Sequence, residues 1–136
     1  MIQHLLATAT AGNVNTDFLV PAASAYRILY GQIVLTTDAT VANRRVLVQS
    51  IDSDSNVVFD THAGAVVAAS QTSQHHEIMQ GIYRETSFIG SSLQVPIPID
   101  FVLDAGWSLR VSIENGVAGD SYTVDVVASE LHLGAF

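Results

Sequence analysis

Apolar and polar residues alternate along much of this chain, and Gly, Asp, Asn, Ser and Thr interrupt the alternation at short intervals. Leu93, Val95, Ile97, Ile99 and Phe101 alternate with Gln94, Pro96, Pro98 and Asp100. Trp107, Leu109, Val111 and Ile113 then alternate with Ser108, Arg110, Ser112 and Glu114. A period of two puts successive side chains on opposite faces of an extended backbone, so each run predicts a strand with one dry and one wet face. Asp104-Ala105-Gly106 supplies the turn between them, and Asn115-Gly116 with Gly119-Asp120 closes the second. The last run starts with Tyr122, Val124 and Val126 and continues with Val127, Leu131 and Leu133. Its apolar phase slips near Val126, which predicts a β-bulge there.

Upstream, residues 26 to 36 read as a strand with Leu29, Ile33 and Leu35 on one face and Ile28, Tyr30 and Val34 on the other. Residues 43 to 51 read as the next, joined to it by Thr36-Thr37-Asp38-Ala39-Thr40. Asp52 to Asn56 turns the chain into Val57-Val58-Phe59, and a further extended run covers 74 to 84 after the small residues of 63 to 73. With an N-terminal run at 2 to 8, about eight strands follow at sandwich spacing. The expected fold is all-β: one antiparallel β-sandwich of jelly-roll type over residues 1–136, with possible terminal arms at 1–8 and 131–136. The Ala63 to Ala69 stretch is too short for a stable helix and carries no caps. Pro96 and Pro98 lie two apart, so their missing N–H donors fall on one side, and that side is expected to be a sheet edge or covered by side chains.

Composition narrows this reading. The chain has 136 residues, 49% hydrophobic and 13% charged, which suits one soluble globular core. No apolar run reaches the roughly 20 residues of a membrane helix. No basic residue precedes the first apolar stretch, so Met1 to Thr10 does not read as a secretory leader. Without cysteine there is no disulfide or thiolate chemistry. A net charge of -8, with five Arg and no Lys, argues against direct nucleic-acid binding, since Arg44-Arg45 is the only adjacent basic pair.

Several residue patterns invite chemistry. Asp52-x-Asp54-x-Asn56 has the first ligand positions of a calcium loop, but Val57 replaces its tight-turn glycine and Ala63 its bidentate glutamate; a plain hairpin turn is the simpler reading. His75-His76-Glu77 suggests a metal, yet neighbouring strand residues face opposite ways. Only His75 with Glu77 shares a face, with His132 or His4 as distant thirds. No serine sits in a Gly-x-Ser-x-Gly frame. Asp52/Asp54 and Asp100/Asp104 lie within turns and lack an aromatic platform for a sugar, and Trp107 opens a well-patterned strand as a core residue would. Arg44 and Arg45 follow Asn43 as either a salt-bridged strand end or an inter-subunit contact. No catalytic site and no cofactor are expected.

The stretch from Arg27 to Asp52, with Ile33 to Val46 reading Ile-Val-Leu-Thr-Thr-Asp-Ala-Thr-Val-Ala-Asn-Arg-Arg-Val, resembles the small virion proteins of tailed bacteriophages. The Asp52 to Val58 hairpin, Pro96-Ile97-Pro98, Asp104 to Trp107 and Ala118 to Tyr122 fit the same pattern, so the resemblance spans most of residues 20 to 133. It implies a capsid decoration or cement protein of jelly-roll fold, assembled in the host cytoplasm and commonly trimeric. Such a protein sits on the head and bridges major capsid protein subunits. Candidate subunit or capsid contacts are Ile2, Leu5 and Leu6 in one terminal segment, Leu133 and Phe136 in the other, and Arg44, Arg45 and His75. One rival is a tail or head-fibre domain that binds a host glycan, with Tyr26 and Tyr83 as the tyrosines not clearly buried. Another is a cupin-like metal enzyme resting on His75, Glu77 and His132.

Overall fold

In the computed structural model, which describes residues 1–81 and 83–132, the chain is an all-β sandwich of two sheets. Ten strands are assigned among the described residues: β1 Ile2–Ala11, β2 Thr16–Leu19, β3 Ser24–Thr36, β4 Arg45–Ile51, β5 Val57–His62, β6 Gln74–Gln80, β7 Ser92–Ile97, β8 Val102–Leu103, β9 Ser108–Glu114 and β10 Ser121–His132. One sheet has the order β1-β10-β3-β6-β7, with β8 pairing the start of β3, and the other the order β2-β9-β4-β5. Every pair is antiparallel except β6 with β7, which is parallel.

The alternation read from the sequence is what builds the core. Leu93, Val95 and Ile97 of β7, Leu109, Val111 and Ile113 of β9, and Tyr122, Val124, Val126 and Ala128 of β10 all point between the sheets. The predicted β7 run is cut short, because Pro98-Ile99-Asp100 turns the chain with Asp100 at φ 57 and leaves Ile99 exposed. Phe101 then re-enters the core edge-on to Phe59, and Trp107 only partly packs against it, just ahead of β9. The Asp104–Trp107 turn closes by a Trp107 N–H to Asp104 C=O bond of 3.0 Å and needs Gly106 at φ 80, a conformation other residues rarely adopt.

Three expectations are corrected. The N-terminal run is no loose arm: β1 pairs along β10 on either side of an irregularity between Ala7 and Thr10, and Leu5 packs against the core. The extended run at 74 stops at Gln80 instead of reaching 84. The bulge sits on β3 instead of β10: Val127 pairs with Tyr30 and Ala128 with Ile28, so Leu29 is the extra residue. The inward phase of β3 therefore jumps from Ile28 to Gly31, Ile33 and Leu35, while β10 keeps its phase and turns Val127 to the outer face.

Pro96 lies on β7, an edge strand, as its missing donor requires. His75 N–H bonds Ser91 C=O, which directs the alternate N–H groups of β7 outward; there Gln94 N–H meets the Glu85 carboxylate, and the Thr61 hydroxyl donates to Pro96 C=O.

At one end of the sandwich lies a charged cluster built around a guanidinium and a carboxylate that have no access to water. Arg44, 0% exposed, donates through Nε and Nη2 to both oxygens of Asp120 at 2.9 and 3.0 Å, through Nη2 to Asp38 at 3.0 Å and through Nη1 to Ala42 C=O at 2.9 Å. Asp120 also accepts the N–H groups of Asp38 and Val117. Burial alone would raise the Asp120 pKa, but the Arg44 bond and these two N–H groups outweigh it, so the carboxyl titrates below its usual range. A Cβ on Gly119 would collide with the Asp38 carboxylate, which explains a bare backbone there. Removing the cation strands a buried carboxylate. Arg44→Met should therefore lose about 3–5 kcal/mol of unfolding free energy, measured by urea denaturation at pH 7.

Candidate functional site

Arg44 is therefore not a docking residue, because its guanidinium is consumed inside the fold. Arg45, one step along β4, faces the other way and is half-buried, as strand alternation requires. The Asp52 carboxylate is also spent locally. It accepts the N–H groups of Asp54 and Asn56 at 2.9 and 2.8 Å and the Asn56 amide at 3.3 Å, and these bonds hold its pKa below the ordinary value. The 52–56 segment is thus built as a hairpin turn between β4 and β5, with Ser55 at φ 66.

The side chains of sheet β1-β10-β3-β6-β7 that point away from the core form the most extensive array of mixed chemistry among the described residues. Cross-strand register puts Leu6, Asp125, Gln32, Glu77 and Gln94 in one row across the sheet, and His4, Val127, Tyr30, Met79 and Pro96 in the next. Gln32 anchors the first row, with Nε2 2.8 Å from Glu77 Oε1 and 3.0 Å from His75 Nδ1. His4 Nδ1 lies 3.4 Å from Asp125 Oδ1. Between the rows is a shallow depression of about 200 Å³ lined by Tyr30, Gly31, Gln32, Glu77, Asp125 and Val127. The Leu29 bulge makes it, because the local shift of β3 turns Tyr30 outward beside Val127.

His75 and Glu77 do share a face, as strand geometry predicts, but it is the outer one, whereas a cupin-like centre needs its ligands between the sheets. His4 shares that face from three strand spacings away, roughly 14 Å. The backbone of His132 ends β10. Among the described residues no three His, Asp or Glu side chains converge as metal ligands would. Of the apolar contact candidates, Ile2 and Leu6 stand out at 57% and 61% exposed; Leu133 and Phe136 lie outside the described residues. Tyr83 is exposed, but Tyr26 is buried in the core, and the exposed aromatic beside carboxylates is Tyr30. Sequence reading missed that role because it did not place the bulge at Leu29. No family model, characterised protein or solved structure matches this chain.

His76 takes the opposite face from His75 and is fully buried, edge-on to Phe88 with ring centroids 5.4 Å apart and neither ring nitrogen hydrogen-bonded. Burial lowers its pKa to about 4, against the nearby backbone of Gln74 and Ile33, which pulls the other way. The unfolded chain, titrating near the ordinary 6.5, takes up this proton first. Stability is therefore complete above pH 6.5 and declines as the pH falls toward 4, by about 3 kcal/mol for this residue. Denaturant titrations at pH 7 and pH 4 should show that loss in the wild type, and His76→Leu should reduce it by a similar amount.

Proposed function

We propose that this chain is a capsid decoration protein of a tailed bacteriophage, a jelly-roll that docks on the assembled head and bridges major capsid protein subunits. The observation that carries the reading beyond the sequence resemblance is the outer face of the β1-to-β7 sheet. There Tyr30 and Met79 stand exposed in one cross-strand row, with Leu6 and Ile2 exposed toward the β1 edge. Such a face, aromatic and Met-bearing with polar groups around it, has the make-up of a protein-binding patch. Strand order supports the jelly-roll assignment: leaving aside β7 and β8, the sheets run β1-β10-β3-β6 and β2-β9-β4-β5, which interleaves two Greek keys. The mechanism is mass action, since a partner that binds only the assembled shell lowers the free energy of that state.

One structural observation favours a second reading. Tyr30 beside Gln32, Glu77 and Asp125 around a shallow depression is also what a saccharide needs, an aromatic face with hydrogen-bonding groups at its rim, so a glycan-binding fibre domain is the alternative. Co-sedimentation separates the two. Purified chain should pellet saturably with mature phage heads but not with unassembled capsid protein, and Tyr30→Asp combined with Met79→Asp should weaken binding at least about tenfold. No pelleting by the wild type, together with retention on a glycan array that Tyr30→Ala abolishes, would replace the capsid reading by the glycan one.

A further inference from the structure

Setting aside the two-residue β8, the two sheets have four edges, and three of them are blunted. β7 carries Pro96 and has the Glu85 carboxylate and the Thr61 hydroxyl on its open side. β2 is only four residues long, with Asp17 bound to Arg110 at 2.8 and 3.0 Å. β5 carries Asp60 and is bulged against β4 at Ser50/Ile51. Proline, charge, brevity and bulges are the usual means by which an edge avoids pairing with another chain.

β1 has none of these protections over Ile2–Ala7, which precedes its own irregularity between Ala7 and Thr10. The segment holds no Pro, Asp, Glu, Lys or Arg, although the whole chain carries a net charge of -8. Met1 C=O accepts Glu130 N–H, so in the antiparallel ladder Gln3, Leu5 and Ala7 turn their backbone groups to β10. Ile2, His4 and Leu6 therefore turn their N–H and C=O groups to the open edge, with no partner among the described residues.

We infer that the β1 edge pairs antiparallel with β1 of a second copy of this chain, about a twofold axis at His4. A twofold contact must be self-complementary, and Ile2-x-His4-x-Leu6 is: an inverted copy sets Leu6 opposite Ile2, Ile2 opposite Leu6, and His4 opposite His4. That register uses every open backbone group of the segment, covers both exposed apolar side chains and opposes no like charge. It joins the two sheets into one continuous sheet, so that the outer faces bearing Tyr30 and Met79 run on across the axis. The inference stands apart from capsid binding and departs from the threefold assembly that the sequence resemblance implies.

The absence of native cysteine allows a direct test on the full chain. With mild oxidation, His4→Cys should form a covalent dimer, because its twofold mate lies directly opposite. Leu6→Cys alone should not, whereas Ile2→Cys mixed with Leu6→Cys should cross-link. By light scattering the wild type should have the mass of two chains, and Leu6→Lys the mass of one with an unchanged circular dichroism spectrum. A one-chain or three-chain mass for the wild type overturns the inference. So does a two-chain mass that survives Leu6→Lys, or equal cross-linking of His4→Cys and Leu6→Cys.

Discussion

A guanidinium shut away from water must find its hydrogen bonds and counter-charge inside the protein, and Arg44 finds them in the link that precedes it and on a segment 76 residues away. Asp38 lies in the link from β3 to β4, Arg44 immediately before β4, and Asp120 immediately before β10. The cluster therefore ties together the point where the chain leaves one sheet for the other and the start of β10, an interior strand of the first. Arg44 is also bridged by its backbone to Val67, and the Thr37 hydroxyl donates to Ala68 C=O, so the loop after β5 is laid against the same crossing. Such a cluster adds little net stability over an apolar replacement, but one partner without the other is costly. That asymmetry makes it a determinant of how the two sheets are joined.

The second constraint is the single extra residue in β3. A strand exposes alternate side chains to alternate faces, so one inserted residue reverses every assignment beyond it. At Leu29 the reversal lets Ile28 and Ile33 both enter the core and sends Tyr30 outward beside Val127. The depression on the outer face is thus a by-product of core packing, and the groups around it come from three strands held in fixed register. Gln32 holds Glu77 and His75 in place from the middle strand. A face built this way on a rigid sheet suits recognition without rearrangement of the backbone.

The Tyr122 hydroxyl shows the same economy at the start of β10. It donates to Val14 C=O at 2.6 Å and meets the Thr16 hydroxyl at 2.8 Å, pinning the β1–β2 connection over the core.

Much of this was legible without coordinates. Period-two alternation marked the strands at Leu93–Ile97 and Leu109–Ile113, and turn residues marked the turn at Asp104–Gly106 and the hairpin at Asp52–Asn56, because each depends on residues near one another in sequence. The separate faces of His75 and His76 followed from strand geometry alone. What tertiary structure decided was everything that depends on which strands are neighbours. The apolar slip seen in the last strand was absorbed by a bulge in its partner, since a mismatch between paired strands can be relieved on either one. For Arg44 the sequence leaves a salt-bridged strand end and an inter-subunit contact both open, because its acids lie 6 and 76 residues away and only the fold brings them together. The N-terminal run, legible as extended, found its partner only in the fold for the same reason: local sequence determines that a segment extends and which residues share a face, but its hydrogen-bond partner is chosen by the packing of the whole chain.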